Sequence, residues 1–174
     1  NKWLDSKKPN IILDGANIGY SNKQNKNNNI NFKKIEIVRN YYSKLGKSVV
    51  IFLHKSHFHK KLNNCENEII DKWNKFNCIY KTPYKLNDDL FWIYSTIRIN
   101  NCFFVTNDKI RDHYYEIIHK NNIKSKKISP FIYWYNDYNI SYNFKNDIFK
   151  PNPISNYSIK IQLNKYDNTN YCCL

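Results

Sequence analysis

The sequence of 174 residues contains no methionine, only three glycines and only three arginines. Because methionine is absent altogether, we expect the chain to lie within a longer polypeptide. No stretch approaches the roughly 18 consecutive apolar residues that a membrane span requires, so no membrane partner is expected. The N-terminal residues do not combine a charged start with an apolar core, so they do not resemble a secretory signal. These absences together predict an intracellular protein.

Cysteine is scarce and irregularly placed. The chain has five cysteines, which is an odd number, and no two of them form a CxxC pair. This pattern argues against a framework of disulfide bonds and is typical of a protein from a reducing compartment.

Acidic residues are also in short supply: 14 Asp and Glu face 28 Lys and Arg, which leaves a formal net charge of +14. Such a surplus favours a polyanionic partner, since neutralising phosphates releases their counterions. Codon bias offers a second explanation, because Asn (30), Lys (25), Ile (24) and Tyr (15) form more than half of the chain and have A/T-rich codons. Charge alone is therefore weak evidence for a nucleic-acid partner.

The sequence does contain enough apolar surface for a folded core. It is 41% hydrophobic and 17% aromatic, which excludes a disordered chain in spite of a mean hydropathy of −0.75. As far as residue 118, short apolar runs alternate with segments of helical period, which predicts a parallel sheet covered by helices on both faces. The predicted strands are 11–13, 49–53, 78–80 and 102–105, and the predicted helices lie within 32–45, 69–76, 88–99 and 110–118.

From about residue 130 the pattern changes to apolar residues at every second position, which is typical of antiparallel strands. Two such stretches, 138–144 and 157–163, are separated by a predicted turn or edge segment at 149–153. We therefore predict an α/β domain over residues 1–128, followed by a small antiparallel β segment over residues 129–174.

Five of the ten aspartates lie in three short segments. Asp14 follows the first predicted strand, Asp108 and Asp112 follow the fourth, and Asp88 and Asp89 open a helix. Ligands bind at the carboxyl ends of the strands in an open α/β sheet, so these carboxylates are expected to converge. Each segment alone also has an ordinary interpretation, as a helix cap for Asp88 and Asp108 and as a turn for Asp14.

A cluster of carboxylates at one edge of a sheet needs a cation to offset its repulsion. Oxygen ligands select hard divalent ions, which indicates Mg²⁺ or Mn²⁺ rather than zinc. Two such ions about 3.5–4 Å apart suit in-line attack on a phosphodiester, where one activates water and the other stabilises the leaving oxygen. An acidic metal site in a basic chain is therefore what a nuclease needs.

Four segments of the sequence together resemble the metallonuclease domain, of the NYN or PIN-like type, of protein-only RNase P (the PRORP family). The resemblance covers about residues 3–120 and includes the order and spacing of the segments. DGAN alone is a common pattern, whereas NDDLFWIY followed closely by VTNDKIRDH is specific. The four segments are LDGANIG at 13–19, LHKS at 53–56, NDDLFWIY at 87–94 and VTNDKIRDH at 105–113.

This resemblance implies a three-layer α/β fold with a mainly parallel central sheet of about four strands. It also implies an endoribonuclease that removes 5′ leaders from precursor tRNA by attack of metal-activated water, leaves a 5′-phosphate and needs no RNA subunit. Two Mg²⁺ or Mn²⁺ ions are expected on catalytic carboxylates at Asp14, Asp88, Asp89 and Asp108. The resemblance places supporting or substrate-binding roles at Asn17, His54, Lys55, Arg111, Asp112 and His113.

Beyond residue 120 the resemblance is weaker. The family's central zinc module combines a CxxC before the nuclease domain with a His and a Cys after it, and here Cys172 stands near the expected position of the His. The resemblance thus implies that Cys172 or Cys173 belongs to a structural Zn²⁺ site completed by segments outside this chain. Two ordinary thiols are the alternative. The family's helical RNA-binding repeats are likewise expected elsewhere in the same polypeptide.

Two other functions stay open at this point. Another NYN or PIN-like endoribonuclease would act on mRNA or structured RNA, and a non-catalytic RNA-binding module would share the fold. The second is disfavoured because a binding module has no need of four clustered carboxylates. The family works in mitochondria, plastids or nuclei, and the A/T-driven composition favours an organelle.

Overall fold

A parallel β-sheet of five strands forms the centre of the protein. The computed structural model describes residues 2–21, 29–59, 61–113 and 130–154. The strand order is β3-β2-β1-β4-β5, and every neighbouring pair is parallel. The strands are β1 (Ile11–Asp14), β2 (Val49–His54), β3 (Ile79–Thr82), β4 (Phe103–Val105) and β5 (Asn139–Ile140).

Helices cover both faces of this sheet, and a two-stranded antiparallel hairpin packs beside it. Within the described ranges, no helix combines the length and the apolar character that crossing a membrane requires. The helices are α1 (Lys2–Lys7), α2 (Gly15–Gly19), α3 (Phe32–Lys44), α4 (Asn64–Lys75), α5 (Asp88–Arg98) and α6 (Pro130–Tyr138). A 3₁₀ turn spans Lys55–Phe58, residues 111–113 are helical, and the hairpin strands are β6 (Tyr142–Lys145) and β7 (Ile148–Pro151).

The alternation of side chains along the strands divides the interior into two cores. In β1, Ile11 and Leu13 face the core formed with α3, α4 and the hairpin, whereas Ile12 faces the core formed with α1, α5 and α6. Trp73 fills the first core and Trp92 the second, and both side chains are fully buried. The predicted three-layer α/β class is confirmed, with five strands in the sheet instead of about four.

A buried ionic network joins α3 to α4. The Glu36 carboxylate accepts hydrogen bonds from Arg39 Nε at 2.6 Å and Nη2 at 2.8 Å, from Lys72 Nζ at 2.6 Å and from Trp73 Nε1 at 2.7 Å. Burial by itself raises the pKa of this carboxyl, but the hydrogen bonds lower it to about 2. Glu36 is therefore ionised at neutral pH and fixes how the two helices pack on the sheet.

The prediction of strands alone from residue 130 onward was wrong, because residues 130–138 form α6. Phe131, Trp134, Tyr135 and Tyr138 follow the helical spacing i, i+3, i+4 and i+7, and all four pack against the second core. The residues that follow α6 do form strands, as predicted, but these strands belong to two different sheets. The strand β5 pairs with β4 in the main sheet, although it lies after the predicted boundary between the α/β domain (1–128) and the β segment (129–174).

Of the turn or edge segment predicted at 149–153, the edge interpretation fits residues 149–151, since Ile148–Pro151 forms the strand β7, which in the described residues pairs with β6 alone. The chain reverses instead at Asn146 and Asp147, whose φ angles of 49° and 57° suit a two-residue hairpin turn. The predicted strand at 157–163 and the two C-terminal cysteines lie outside the described residues. So does the predicted helix beyond residue 113.

We predict that Glu36→Gln lowers the free energy of unfolding by about 3 kcal/mol, because it leaves the buried Arg39 guanidinium without its charged partner. Urea denaturation at neutral pH measures the change. Glu68→Gln, an exposed substitution on α4, is the matched control and should stay within about 0.5 kcal/mol of the wild type. Equal effects of the two substitutions would contradict a stabilising role for the network.

Candidate active site

The strand order places a crevice between β1 and β4. The chain builds β2 and β3 on one side of β1 and then crosses to build β4 and β5 on the other side. In open α/β sheets, ligands bind where the strand order reverses, outside the carboxyl ends of the strands. Asp14 is the last residue of β1, and Thr106, Asn107 and Asp108 follow β4 directly.

Asp14 is held at this point by contacts from the segments that follow β1 and β4. Its Oδ1 accepts a hydrogen bond from Asn17 N at 3.0 Å, which caps α2, and its Oδ2 accepts one from Thr106 Oγ1 at 2.8 Å. A side chain at Gly15 would meet the Phe52 carbonyl oxygen at 2.6 Å, so only glycine lets α2 begin here. Each Asp14 oxygen keeps a second lone pair for a ligand.

The environment of Asp14 disfavours its charged form. Burial raises the pKa of this carboxyl to about 7, and the nearby charges of Asp89 and Asp88 add to the effect, while the two hydrogen bonds oppose it. Only 4% of the residue is exposed. A cation in the crevice would reverse this balance, because it would stabilise the ionised carboxylate.

Asp88 and Asp89 lie in the first turn of α5 and line the same cavity as Asp14. Asn87 caps this helix by accepting a hydrogen bond from Asp89 N at 2.9 Å. Trp92 Nε1 donates to Asp89 Oδ1 at 3.1 Å, which fixes that carboxylate over the second core. Burial and the charge of Asp89 raise the pKa of Asp88, and His54 opposes this shift.

The turn after β4 presents Asp108. Asp108 N donates to Thr106 Oγ1 at 3.0 Å, and Ile110 N donates to Asp108 Oδ1 at 2.9 Å. Ile110 has a φ of 43°, which is unfavourable for a β-branched residue and marks local strain. The buried Ile110 side chain, which belongs to the second core, holds the turn in this conformation.

A set of polar contacts ties the hairpin to the crevice. Asn17 Oδ1 accepts hydrogen bonds from Asn107 N at 2.9 Å and from the Tyr142 hydroxyl at 2.8 Å. The Asn107 side chain in turn donates to Tyr142 O and accepts from Tyr142 N, both at 2.9 Å. Burial and the charge of Asp14 raise the pKa of Tyr142, so its hydroxyl stays neutral.

These contacts enclose a cleft of about 420 Å³. Four carboxylates from three separate segments line it, as the sequence predicted: Asp14, Asp88, Asp89 and Asp108. Across the described residues, no group of three or more carboxylate, histidine or cysteine side chains is already arranged as a metal site. The donor set nonetheless fits a hard divalent ion, because it is made of oxygens and its charges repel one another in the protein alone.

The other predicted site residues divide into three groups. Asn17 lines the cleft, and His54 ends β2 at the same edge of the sheet, with the exposed Lys55 beside it. His113 is not among the residues that line the cleft, but its Nε2 lies 3.5 Å from Asp89 Oδ2. Asp112 is exposed, and Arg111 lines a neighbouring groove instead of the cleft.

Sequence reasoning missed two residues on which this geometry depends. Thr106 lies within the quoted VTND segment, and its position between Asp14 and Asp108 was the available signal. The alternating pattern of residues 138–144 places Tyr142 in a separate β segment. No local pattern indicates that its hydroxyl reaches Asn17.

Comparison with known proteins gives a consistent result. The family model described as "Protein-only RNase P" matches residues 1–168. Proteinaceous RNase P 3 of Arabidopsis thaliana is 35% identical over 111 residues, which cover 62% of this chain and 19% of that protein. Proteinaceous RNase P 2 of the same plant is 28% identical over 155 residues, covering 87% of this chain and 28% of that protein.

The fold also matches a solved structure. The crystal structure of nuclear proteinaceous RNase P 2 from A. thaliana superposes with a TM-score of 0.75 at 28% identity, covering 92% of this chain and 33% of the other. The chain thus spans no more than about a third of the length of these relatives.

We predict a pH-dependent stability difference between the metal-free protein and Asp14→Asn. The folded protein keeps the Asp14 proton up to about pH 7, whereas the unfolded chain loses it near the ordinary value of 3.8. The unfolded state therefore binds fewer protons, and wild-type stability relative to the variant falls by up to about 1.4 kcal/mol per pH unit between pH 4 and pH 7.

Urea denaturation in EDTA, repeated across this pH range, measures that difference. Exposed Asp71→Asn is the control, and its difference from the wild type should not follow the same slope. A constant difference between wild type and Asp14→Asn from pH 4 to pH 8 would contradict the raised pKa.

Proposed function

Because the chain belongs to the protein-only RNase P family, we propose that it is the nuclease domain of an enzyme that removes 5′ leaders from precursor tRNA. The observation that carries the proposal is the single cleft lined by four carboxylates from three chain segments. The curated relatives bear the name proteinaceous RNase P. The reaction is hydrolysis of one phosphodiester, which leaves a 5′-phosphate on the mature end.

We propose that Asp14, Asp88, Asp89 and Asp108 hold two Mg²⁺ or Mn²⁺ ions. When bound, these ions would activate a water molecule and offset the charge that develops on the leaving oxygen. Asn17 N and Thr106 Oγ1 orient the Asp14 carboxylate. Trp92 and His113 contact the two oxygens of Asp89, so this side chain is positioned from both sides.

The substrate phosphates are proposed to meet cations at the carboxyl edge of β2. The Nδ1 atom of His54 lies 2.7 Å from Ser56 Oγ and accepts a hydrogen bond from Ser56 N, which orients the ring. The exposed Lys55 follows it at the start of the 3₁₀ turn. A charge of +14 over the chain favours association with RNA at low ionic strength.

Three further elements of the proposal rest on sequence alone. Cys172, which lies outside the described residues, would contribute to a structural Zn²⁺ site with segments elsewhere in the polypeptide. Helical repeats in those segments would supply most of the tRNA specificity. The A/T-driven composition supports an organellar compartment, and one relative, from A. thaliana, is named chloroplastic/mitochondrial.

We predict that Asp88→Asn/Asp89→Asn in the complete protein slows cleavage of a precursor tRNA at least about a hundredfold, because it removes two charges that hold the ions. Binding of the same RNA, measured in Ca²⁺ by filter retention, should change less than about threefold. Asp71→Asn/Glu68→Gln, which removes two exposed carboxylates on α4, is the matched control and should cleave normally.

Mapping the products separates the candidate functions. A single cut at the mature 5′ end with a 5′-phosphate supports RNase P activity, and cleavage of mRNA or stem-loops in preference to precursor tRNA supports another endoribonuclease. Cleavage that persists in EDTA, or undiminished cleavage by the double variant, would contradict the metal-dependent mechanism.

A further inference from the structure

A second cavity opens directly beside the cleft. This groove has a volume of about 730 Å³ and lies between the turn after β4, the helix α6 and the hairpin. It shares Asn107 and Tyr142 with the cleft, so the two cavities lie side by side. A ligand in the groove would therefore adjoin a ligand bound at the carboxylates of the cleft.

One wall of the groove is aromatic. Phe131 and Tyr135 stand one helical turn apart on α6 and both line the cavity. The Tyr135 hydroxyl donates to Asp108 O at 2.6 Å and accepts from Asn139 Nδ2 at 2.9 Å, which fixes the ring. Aromatic rings in such a wall bind unstacked bases, at about 1–3 kcal/mol for each base.

Two amide side chains that are hydrogen-bonded to each other, Asn143 and Asn152, also line the groove. Asn143 Nδ2 donates to Asn152 Oδ1 at 3.1 Å, and Asn152 Nδ2 donates to Ser141 Oγ at 2.9 Å. An amide side chain has one acceptor oxygen and two N–H donors. These two hydrogen bonds therefore leave Asn143 Oδ1 as an acceptor and one N–H of Asn152 as a donor. This pairing of an acceptor with a donor is what the edge of a nucleobase requires.

The charge of the groove suits the same ligand. Lys109 and Arg111 line it, and none of the described residues that line it is acidic. The resemblance places Arg111 at the substrate phosphates of the metal cleft, whereas the structure places it in the neighbouring groove, where its charge suits a phosphate group.

We propose that this groove holds the base of one unpaired nucleotide next to the scissile phosphate, and that Asn143 and Asn152 read its edge. The inference rests on the proposed RNA cleavage and adds a specificity site to it. The base stacks on the aromatic wall, while the adjoining phosphate contacts Arg111.

The test compares the complete wild-type protein, Asn143→Ala and the control Asn67→Ala, which alters an exposed asparagine on α4 outside the groove. Precursor tRNAs carry each of the four nucleotides, or an abasic residue, at the two positions that flank the cut. For the wild type and the control, kcat/KM for the substrate with the preferred nucleotide at one of these positions should be at least about fivefold higher than for the substrate with the least preferred nucleotide. Asn143→Ala should reduce this ratio to less than about twofold.

The abasic substrate tests occupancy separately from base reading. At the same position it should lower kcat/KM of the wild type at least about fivefold, because stacking is lost. Equal cleavage of abasic and normal substrates at both positions, or an unchanged nucleotide ratio in Asn143→Ala, would overturn the groove as a base site.

Binding in Ca²⁺ separates this inference from the proposed activity. If the wild type cleaves no RNA but binds the abasic substrate more weakly than the normal one, the proposed function fails and the groove still holds a base. If cleavage is normal and no base effect exists in either assay, the groove proposal fails alone.

Discussion

The Asp14 carboxylate lies buried between β1 and β4, where two hydrogen-bond donors from the described part of the chain offset the loss of its hydration. One donor is the first turn of α2, and the other is the Thr106 hydroxyl. Since Thr106 also accepts from Asp108 N, the contact that satisfies Asp14 sets the path of the chain as it leaves β4. The position of Asp108, the strained turn at Ile110 and the near wall of the cleft all depend on this arrangement.

Charges act over two distances in this molecule, one across the surface and one within the cleft. Lysines distributed over the surface give the chain its positive field, which acts on a polyanion at a distance and is screened by salt. The carboxylates act only within the cleft, where burial strengthens their mutual repulsion and raises the pKa values of Asp14 and Asp88. Because these two effects occupy different regions, a strongly basic protein tolerates a local acidic site.

Much of the fold follows from patterns within single segments. The run Val49–Leu53 is apolar at every position because both faces of β2 are buried. Asp14 ends β1, and Asp108 lies three residues beyond the end of β4. The carboxylate cleft was predictable for the same reason, since parallel strands bring their carboxyl ends together. Residues 130–145 were harder, because their aromatic residues satisfy a period of two and a helical spacing at once. Which period applies at each residue is decided by packing against Phe104 and Asn17, which are distant in sequence.

The Tyr142 hydroxyl closes the cleft from a hairpin that contains none of the carboxylates. A gene fusion that joined this domain to a new partner just after residue 113 would transmit all four acids and leave their cleft without one side. The coding sequence that has to stay together to encode the complete cleft consequently extends at least to the end of β7. Exon shuffling within residues 114–151 is then expected to be selected against, even though no carboxylate of the cleft is encoded there.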